Sequence, residues 1–432
     1  MSALEREVAS TTDRASHAAP EKGASQPTQE SRPPSRGQSV EGKLLVRFLS
    51  FIGNPPIEFV LWTGERVSTS TAPIVASVRL VDRATLLGLI KDPHIRFGDG
   101  YSEGRITIEG DLVQFIEAMY RAAPVQPKAA RTLGSILRGA HRSRRNTLNG
   151  SRENIHHHYD IGNEFYSLWL GKSMAYTCAY YPHPDATLDE AQIAKFDHVC
   201  RKLQLRPGET VVEAGFGWGG LALHMARKYG VKVRAYNISH EQVMFARERA
   251  KREGMAAQIE YVEDDYRAIS GHYDAFVSVG MLEHVGVENY AQLGGIAHRV
   301  LGNNGRGLIH SIGRNRPAPL HPWITKRIFP GAYPPSLAEF MQIFEPWDFS
   351  VIDVENLRLH YARTLIHWLE LYDRSADRVR AMFDQKFENM WRLYLAGSIA
   401  GFTTGALQLF QVVFAPRHNN SLPMTRAHLY AT

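Results

Sequence analysis

Residues Val211 to Gly220 read V-V-E-A-G-F-G-W-G-G, a run whose types and spacing suit the cradling of a nucleotide. A β-branched pair ends a strand, an acid follows, and glycines then crowd one tight turn. Glycine admits φ > 0 and lets the backbone approach a ligand closely. The helix expected next, Leu221 to Tyr229, would aim its N-terminal N–H groups at that ligand. Gly215, Gly217 and Gly220 also satisfy G-x-G-x-x-G, so a dinucleotide site has to be weighed. The next strand, Val231 to Tyr236, ends in Asn237, and the acid that would hold an NAD ribose is missing there.

Glu213 stands ahead of the glycines, as an acid does in the E/D-x-G-x-G-x-G turn of S-adenosylmethionine methyltransferases. On these residues alone a methyltransferase, a dinucleotide enzyme and a purely structural turn all stay open.

The elements around the turn follow from pattern. Strand Thr210 to Val212 precedes the helix after the glycines, and strand Val231 to Tyr236 precedes a helix over Glu241 to Glu253. Further strands are expected at Ile259 to Val262, Ala275 to Val279 and Gly307 to Ile312. Such βαβ alternation predicts an α/β fold with a mostly parallel sheet, and ligands at the carboxyl ends of its strands.

Upstream, residues 1–40 are rich in Ser, Thr, Pro, Gln and charge and almost free of large apolar side chains, the composition of a disordered tail. A small α+β domain is expected over 41–123, with strands Glu58 to Leu61, Ser77 to Val81 and Arg105 to Ile108 and a helix Arg83 to Lys91. Gly98, Gly100, Gly104 and Gly110 are expected to punctuate its turns. Residues 124–153 then form a basic linker in which Lys128, Arg131, Arg138, Arg142, Arg144, Arg145 and Arg152 meet no opposing acid before Glu153. Leu133, Ile136, Leu137 and Ala140 fall there at helical spacing, which suits an anionic membrane surface or a helix packed on its own protein. No aromatic interleaving or nucleic-acid motif accompanies the charge, so nucleic acid is not an expected partner. The remaining 154–432 make the catalytic domain.

With 432 residues, 44% hydrophobic content and a net charge of +6, the chain can bury a large core and attract anions. Two cysteines, Cys178 and Cys200, fit a reducing cytoplasm rather than a disulfide scaffold. No signal peptide is visible at the N-terminus. Leu393 to Pro416 is uncharged, but its Ser, Thr and Gln residues make it too polar to span a membrane comfortably; a buried helix end and a strand Leu407 to Phe414 are expected. Six prolines between Arg314 and Phe340 suggest a stiff lid over an apolar pocket, the alternative being a proline-rich surface loop. The three consecutive histidines His156, His157 and His158 cannot readily aim their rings at one ion, so no metal is expected.

Several ordered motifs remain. They are H-H-Y-D-I-G-N-E-F-Y (His157 to Tyr166), M-A-Y-T-C-A-Y-Y (Met174 to Tyr181), A-Q-I-A-K-F-D (Ala191 to Asp197), L-E-H-V-G (Leu282 to Gly286) and I-F-P-G-A-Y-P-P-S-L (Ile328 to Leu337). With the glycine turn and the final P-M-T-R-A-H-L-Y, they make the chain resemble the cyclopropane-fatty-acid synthase family, including the mycolic acid methyltransferases, from about Ser77 to Tyr430.

That resemblance implies a Rossmann-like class I methyltransferase sheet, mostly parallel with an antiparallel last strand, preceded by a small lipid-facing domain. It implies methyl transfer from S-adenosylmethionine to the double bond of phospholipid acyl chains, giving cyclopropane fatty acids. A methylene- or methyl-branched product is the near alternative, and a soluble O- or N-methyltransferase of natural products the distant one. Cofactor contacts carried over are Tyr176, Thr177, Gly215, Gly217, Trp218, Gly219, Asn237 (ribose), Gln242, Tyr266 (adenine) and Arg267, with Glu213 supporting the turn or reaching the methionine amine. A bicarbonate base is implied, held by Cys178, Glu283, His310, the Ile312 N–H and Tyr361.

A carbocation-like state calls for a dry site with aromatic faces, for which Tyr176, Tyr180, Tyr181 and Trp218 are available. Phe216 and Gly280 depart from the family pattern, which usually has a cysteine and an acid there. The expected setting is the inner face of the cytoplasmic membrane, peripherally bound; a homodimer is compatible with the sequence.

Overall fold

A computed structural model describes residues 38–122 and 161–430. The expectations for the N-terminal tail, the basic linker and the three histidines fall outside these residues, apart from 38–40 of the tail.

The first sheet has the order β2 (Arg66–Val67), β1 (Ile57–Val60), β3 (Ala76–Leu80), β4 (Ile106–Gly110). β1 and β3 run parallel and the outer pairs antiparallel. Its helices start where short polar side chains accept otherwise unsatisfied N–H groups. Ser39 Oγ accepts from Gly42 at the head of Val40–Phe51, and Asp82 from Thr85 at the head of Arg83–Lys91. Asp92 caps Pro93–Ser102, which has proline in its first turn, where the missing N–H costs nothing.

The expected glycine turns are corrected in part here. Gly98 and Gly100 lie inside the helix Pro93–Ser102, and their role is close packing. A Cβ at Gly98 would stand 2.4 Å from the Trp323 indole, and one at Gly100 would stand 2.8 Å from Ile106. Gly104 and Gly110 do turn the chain, with φ of 70° and 119°.

The second sheet has the order β10 (Phe349–Asn356), β11 (Gln408–Pro416), β9 (Leu301–Gly313), β8 (Tyr273–Val279), β5 (Thr210–Ala214), β6 (Lys232–Asn237), β7 (Ile259–Glu263). From β9 to β7 every pair is parallel, and β11 is antiparallel to both its neighbours. This is the class I methyltransferase sheet. The uncharged stretch before Arg417 is the end of the buried helix Gln385–Thr403 followed by β11, whose residues are buried almost throughout. No helix among the described residues is long and apolar enough to cross a membrane.

Both sheets belong to the same compact unit. Polar contacts tie the layers together. Arg327 grips Asp99 through two hydrogen bonds of 3.0 and 2.8 Å, Trp323 Nε1 donates to the same carboxylate, and Asn389 Nδ2 donates to Ser102 O. Between the layers lies the main cavity.

Candidate active site

The glycine turn sits at the carboxyl end of β5, with φ of 83° at Gly215, 55° at Gly217 and 78° at Gly219. These values are strained for any side chain bearing a Cβ. A Cβ at Gly219 would meet the Tyr261 hydroxyl at 2.5 Å, whereas one at Gly217 would meet nothing within 4 Å. Gly219 therefore serves the fold, while the face of the turn at Gly217 is open. The helix Gly220–Tyr229 begins without a side-chain cap, so its first N–H groups face the same place.

The remaining residues expected to hold the cofactor gather at neighbouring strand ends. Asn237 closes β6 and donates to Gln242 Oε1 at 2.8 Å and to Gly217 O at 3.3 Å. Tyr266 and Arg267 follow β7 in a short 3-10 turn, with the guanidinium 5.1 Å above the phenol ring and Asp265 accepting the Arg267 N–H. Trp218 Nε1 donates to Asn163 at 2.7 Å, and its ring packs 5.0 Å from Tyr166. This constellation fits an adenosyl cofactor: bare backbone for its approach, an amide for a ribose and an aromatic–guanidinium pair for a base.

Tyr176, Thr177 and Cys178 lie on a segment without regular secondary structure. Side chains hold it instead. Gln192 Nε2 donates to Thr177 O at 2.9 Å, and Lys195 Nζ donates to Thr177 Oγ1 at 2.9 Å. Thr364 Oγ1 accepts the Ala179 N–H. Gln192 and Lys195 are missing from the expected site, although both lie in the motif Ala191 to Asp197; their buried positions on the helix Leu188–Lys202 were the available signal. Burial drives the Lys195 ammonium down to about 7 and the Glu213 carboxyl up to about 8. Neither charge is comfortable in that floor.

A cavity of about 900 Å³ opens between the two layers. Its walls come from the first layer (Phe48, Phe59, Phe97 and Phe115 among them), from the proline-rich segment (Leu320, Trp323, Ile324, Phe329), and from the helix Gln385–Thr403. The expected lid is thus a wall of an apolar pocket. Cys178, Glu283, His310, Ile312 and Tyr361, expected together, all line this cavity.

Their hydrogen bonds refine the expectation. The Ile312 N–H donates to Glu283 Oε1 at 2.7 Å, and Cys178 Sγ donates to Ala179 O at 3.1 Å. Both donors thus have internal acceptors. Glu283 Oε2 and His310 Nε2 are buried without a hydrogen-bond partner among the described residues. Gln411 Nε2 lies 3.0 Å from His310 Nδ1, which assigns the ring proton to Nε2. Burial pushes Glu283 up to about 7 and holds His310 well below the usual imidazole range, so the histidine is neutral. A buried acid that readily takes a proton beside a neutral imidazole donor fits a small oxyanion. Tyr361 packs 4.6 Å from Phe402.

The aromatic expectation changes. Tyr176 lines the cavity, its hydroxyl 2.8 Å from that of Tyr394. Tyr180 is instead sandwiched between His198 and His360 at 4.2 and 4.8 Å, and Tyr181 lies under Arg363. Their backbone N–H groups bond to Ala191 O and His360 Nδ1, which turns both rings away from the pocket. Phe329, Tyr394 and Phe402 supply the missing faces. Gly280 has φ of 77°, and a Cβ there would stand 2.9 Å from Thr177 Cγ2, which explains why no acid occupies the position.

Fold and site together define a class I S-adenosylmethionine-dependent methyltransferase. The chain belongs to the mycolic acid cyclopropane synthetase family, whose model matches residues 146–412, while residues 44–126 match a domain of unknown function. It is 36% identical to a "Probable fatty acid methyltransferase" of Pseudomonas putida, over 87% of this chain and 96% of that protein. It is 38% identical to the cyclopropane-fatty-acyl-phospholipid synthase of Escherichia coli (strain K12), over 62% of this chain and 69% of that one. Among solved structures it is similar to the cyclopropane synthase MmaA2 from Mycobacterium tuberculosis, with a TM-score of 0.58, 28% identity and coverage of 61% and 98% of the two chains. The mycolic acid cyclopropane synthase CmaA1 complexed with SAH and CTAB is similar at TM-score 0.58 and 29% identity, covering 61% and 97%.

Proposed function

We propose that the protein transfers a methyl group to the double bond of an unsaturated phospholipid acyl chain and closes it to a cyclopropane. The observation that carries this reading is the apolar cavity, which runs from the first layer to the polar cluster of Cys178, Glu283 and His310. Relatives that act on fatty acyl chains support it.

S-adenosylmethionine, when bound, supplies the electrophilic methyl group. The alkene π pair forms the new C–C bond as the S–CH₃ bond breaks, leaving positive charge on the acyl carbon. The cavity walls exclude water that would trap that charge, and the Tyr176, Tyr394 and Phe329 rings offer it π faces. A C–H bond of the added methyl then breaks, its electron pair closes the ring and the proton leaves. A bicarbonate, when bound among Cys178, Glu283, His310, Ile312 and Tyr361, supplies a base for that proton. Glu283 in its protonated form avoids the repulsion of two adjacent anions, and neutral His310 donates from Nε2.

In this reading residues 41–123 face lipid, 124–153 form a basic linker at the membrane surface, and 154–432 carry the chemistry. The protein then works as a peripheral membrane enzyme on the cytoplasmic face. Replacing Arg142, Arg144 and Arg145 with alanine should weaken sedimentation with anionic vesicles, each contributing on the order of 1 kcal/mol. Relatives named as fatty acid methyltransferases keep a second reading, a methylene- or methyl-branched chain, whose methylene form arises by hydride shift and loss of a different proton. Incubation with labelled cofactor and unsaturated phospholipid vesicles, followed by NMR of the product, separates the two. Upfield ring protons establish the cyclopropane, vinylidene signals the branch, and neither product defeats the assignment.

A further inference from the structure

Among the described residues, Glu283 and Arg314 are the only Asp, Glu, Lys or Arg side chains lining the cavity. Glu283 belongs to the reaction end, and Arg314 to the segment that leaves β9. It follows the last residue of β9, where its own N–H donates to Pro335 O at 2.9 Å and an isolated bridge joins it to Ser336. The backbone is therefore held on both sides and the guanidinium is left to the cavity.

No carboxylate among the described residues forms an ion pair with Arg314, and its Nε is buried without a hydrogen-bond partner there. The polar neighbours on this stretch of wall are two imidazoles and a phenol, none of them an acid: His321 Nε2 lies 3.4 Å from His94 Nδ1, and Tyr120 lines the same wall. A guanidinium facing an apolar cavity without a counter-anion is costly, and a ligand anion removes that cost. Arginine suits the task because its planar fork meets phosphate or carboxylate oxygens two at a time.

We propose that Arg314 is an anion-recognition residue for the substrate, which enters the cavity as an anionic amphiphile. The head's oxygens meet Arg314, beside Tyr120 and His321, while the acyl chain runs along the apolar wall toward Glu283 and His310. From His310 to Arg314 is four residues of extended chain, about 13 Å at about 3.3 Å per residue. The head thus lies well away from the reacting carbons. This inference rests on the lipid reading above. A phosphodiester head and a fatty carboxylate share the required chemistry.

The test uses the full chain and calorimetry without cofactor, with three monomeric probes sharing one oleoyl chain: oleoyl lysophosphatidate, free oleate and uncharged monoolein. The wild type should bind at least one anionic probe about tenfold more tightly than monoolein, the usual scale for a hydrogen-bonded charge pair. Arg314→Gln should bring that ratio close to one while leaving monoolein within about twofold. Arg314→Lys should retain most of the preference. The anionic probe that loses affinity identifies the head as phosphate or carboxylate. An unchanged ratio in Arg314→Gln, or a wild type that does not prefer either anion, overturns the inference. Should Arg314→Gln not fold, the wild-type ratio and Arg314→Lys still decide. Failure of all three probes to bind would instead count against the lipid reading itself.

Discussion

The Glu283 carboxylate accepts the Ile312 backbone N–H at 2.7 Å, so one oxygen is tied to β9 while the other, Oε2, faces the cavity without a partner among the described residues. One residue is thus both fixed in place and left chemically available. His310, two positions back on the same strand, shows the same division: Gln411 occupies Nδ1 and Nε2 is unsatisfied.

Glu283→Gln keeps the shape and the contact to Ile312 but removes the titrating proton. It should bind S-adenosylhomocysteine as the wild type does and lose about 10² to 10³ in turnover, the usual worth of a preorganised contact to developing charge. Stripping dissolved carbonate should depress the wild type reversibly. A fully active variant in a carbonate-independent enzyme would sink the anion-held base and leave the methyltransferase assignment standing.

Buried Glu283 and Glu213 should each withdraw stability as pH rises from about 4.5 to about 7, while buried His310 and His284, held below the usual imidazole range, supply the opposite slope. In that window Glu283 and Glu213 stay protonated in the folded protein but ionise in the unfolded chain, because burial raises them to about 7 and about 8 from 4.5. At these two groups folding takes up protons, so each step up in pH weakens their contribution. Glu355, held at about 2 by His198 and Lys202 against its burial, contributes the opposite slope only below 4.5. In thermal melts across the window, Glu213→Gln and Glu283→Gln should each gain stability relative to the wild type as pH rises.

Two glycines of one turn should separate folding from binding. Gly219→Ala places a Cβ 2.5 Å from the Tyr261 hydroxyl at a φ of 78°, and should lower the melting temperature clearly. Gly217→Ala meets no neighbour, so its stability cost is limited to the left-handed backbone, about 1 kcal/mol, yet the bare face of the turn is lost. Calorimetry should find Gly217→Ala folded and strongly impaired in cofactor binding, and Gly217→Val unable to bind. Wild-type affinity in either would remove the cofactor from this turn.

Gly98→Ala tests the contact between the layers. Helix propensity alone favours alanine by about 1 kcal/mol. Packing opposes it, because the added methyl would stand 2.4 Å from the Trp323 indole, an overfilling that typically costs about 1 to 3 kcal/mol. Net destabilisation with unchanged S-adenosylhomocysteine affinity, and a raised KM for lipid, is the expected pattern. A stabilised variant would show that the interlayer contact yields easily.

Elements whose cause is local could be read directly from the residues. The helix Arg83–Lys91 needs only its Asp82 cap and a run of good formers, and the turn from Gly215 needs only residues that tolerate φ > 0. A mostly parallel α/β sheet was legible for the same reason, since β-branched strands alternating with amphipathic helices leave few arrangements, whereas the class I topology with its antiparallel strand came from the family resemblance. Gly98 and Gly100 were read as turns because a glycine pressed against a ring and one that bends the chain have the same sequence signature. Lys195 stood within the motif Ala191 to Asp197, but only the helix Leu188–Lys202 turned it onto Thr177.

What only the tertiary structure decided depends on partners far apart in the chain. Glu283 and Ile312 are 29 residues apart, and Asp99 reaches Trp323 across 224. Whether Tyr176 faces the cavity while Tyr180 and Tyr181 turn away follows from acceptors at Ala191 and His360, which no local pattern near the tyrosines encodes. Arg314 looks in the sequence like one of many arginines. Its distinction lies in the apolar wall around it, and such a wall exists only once the two sheets close on each other.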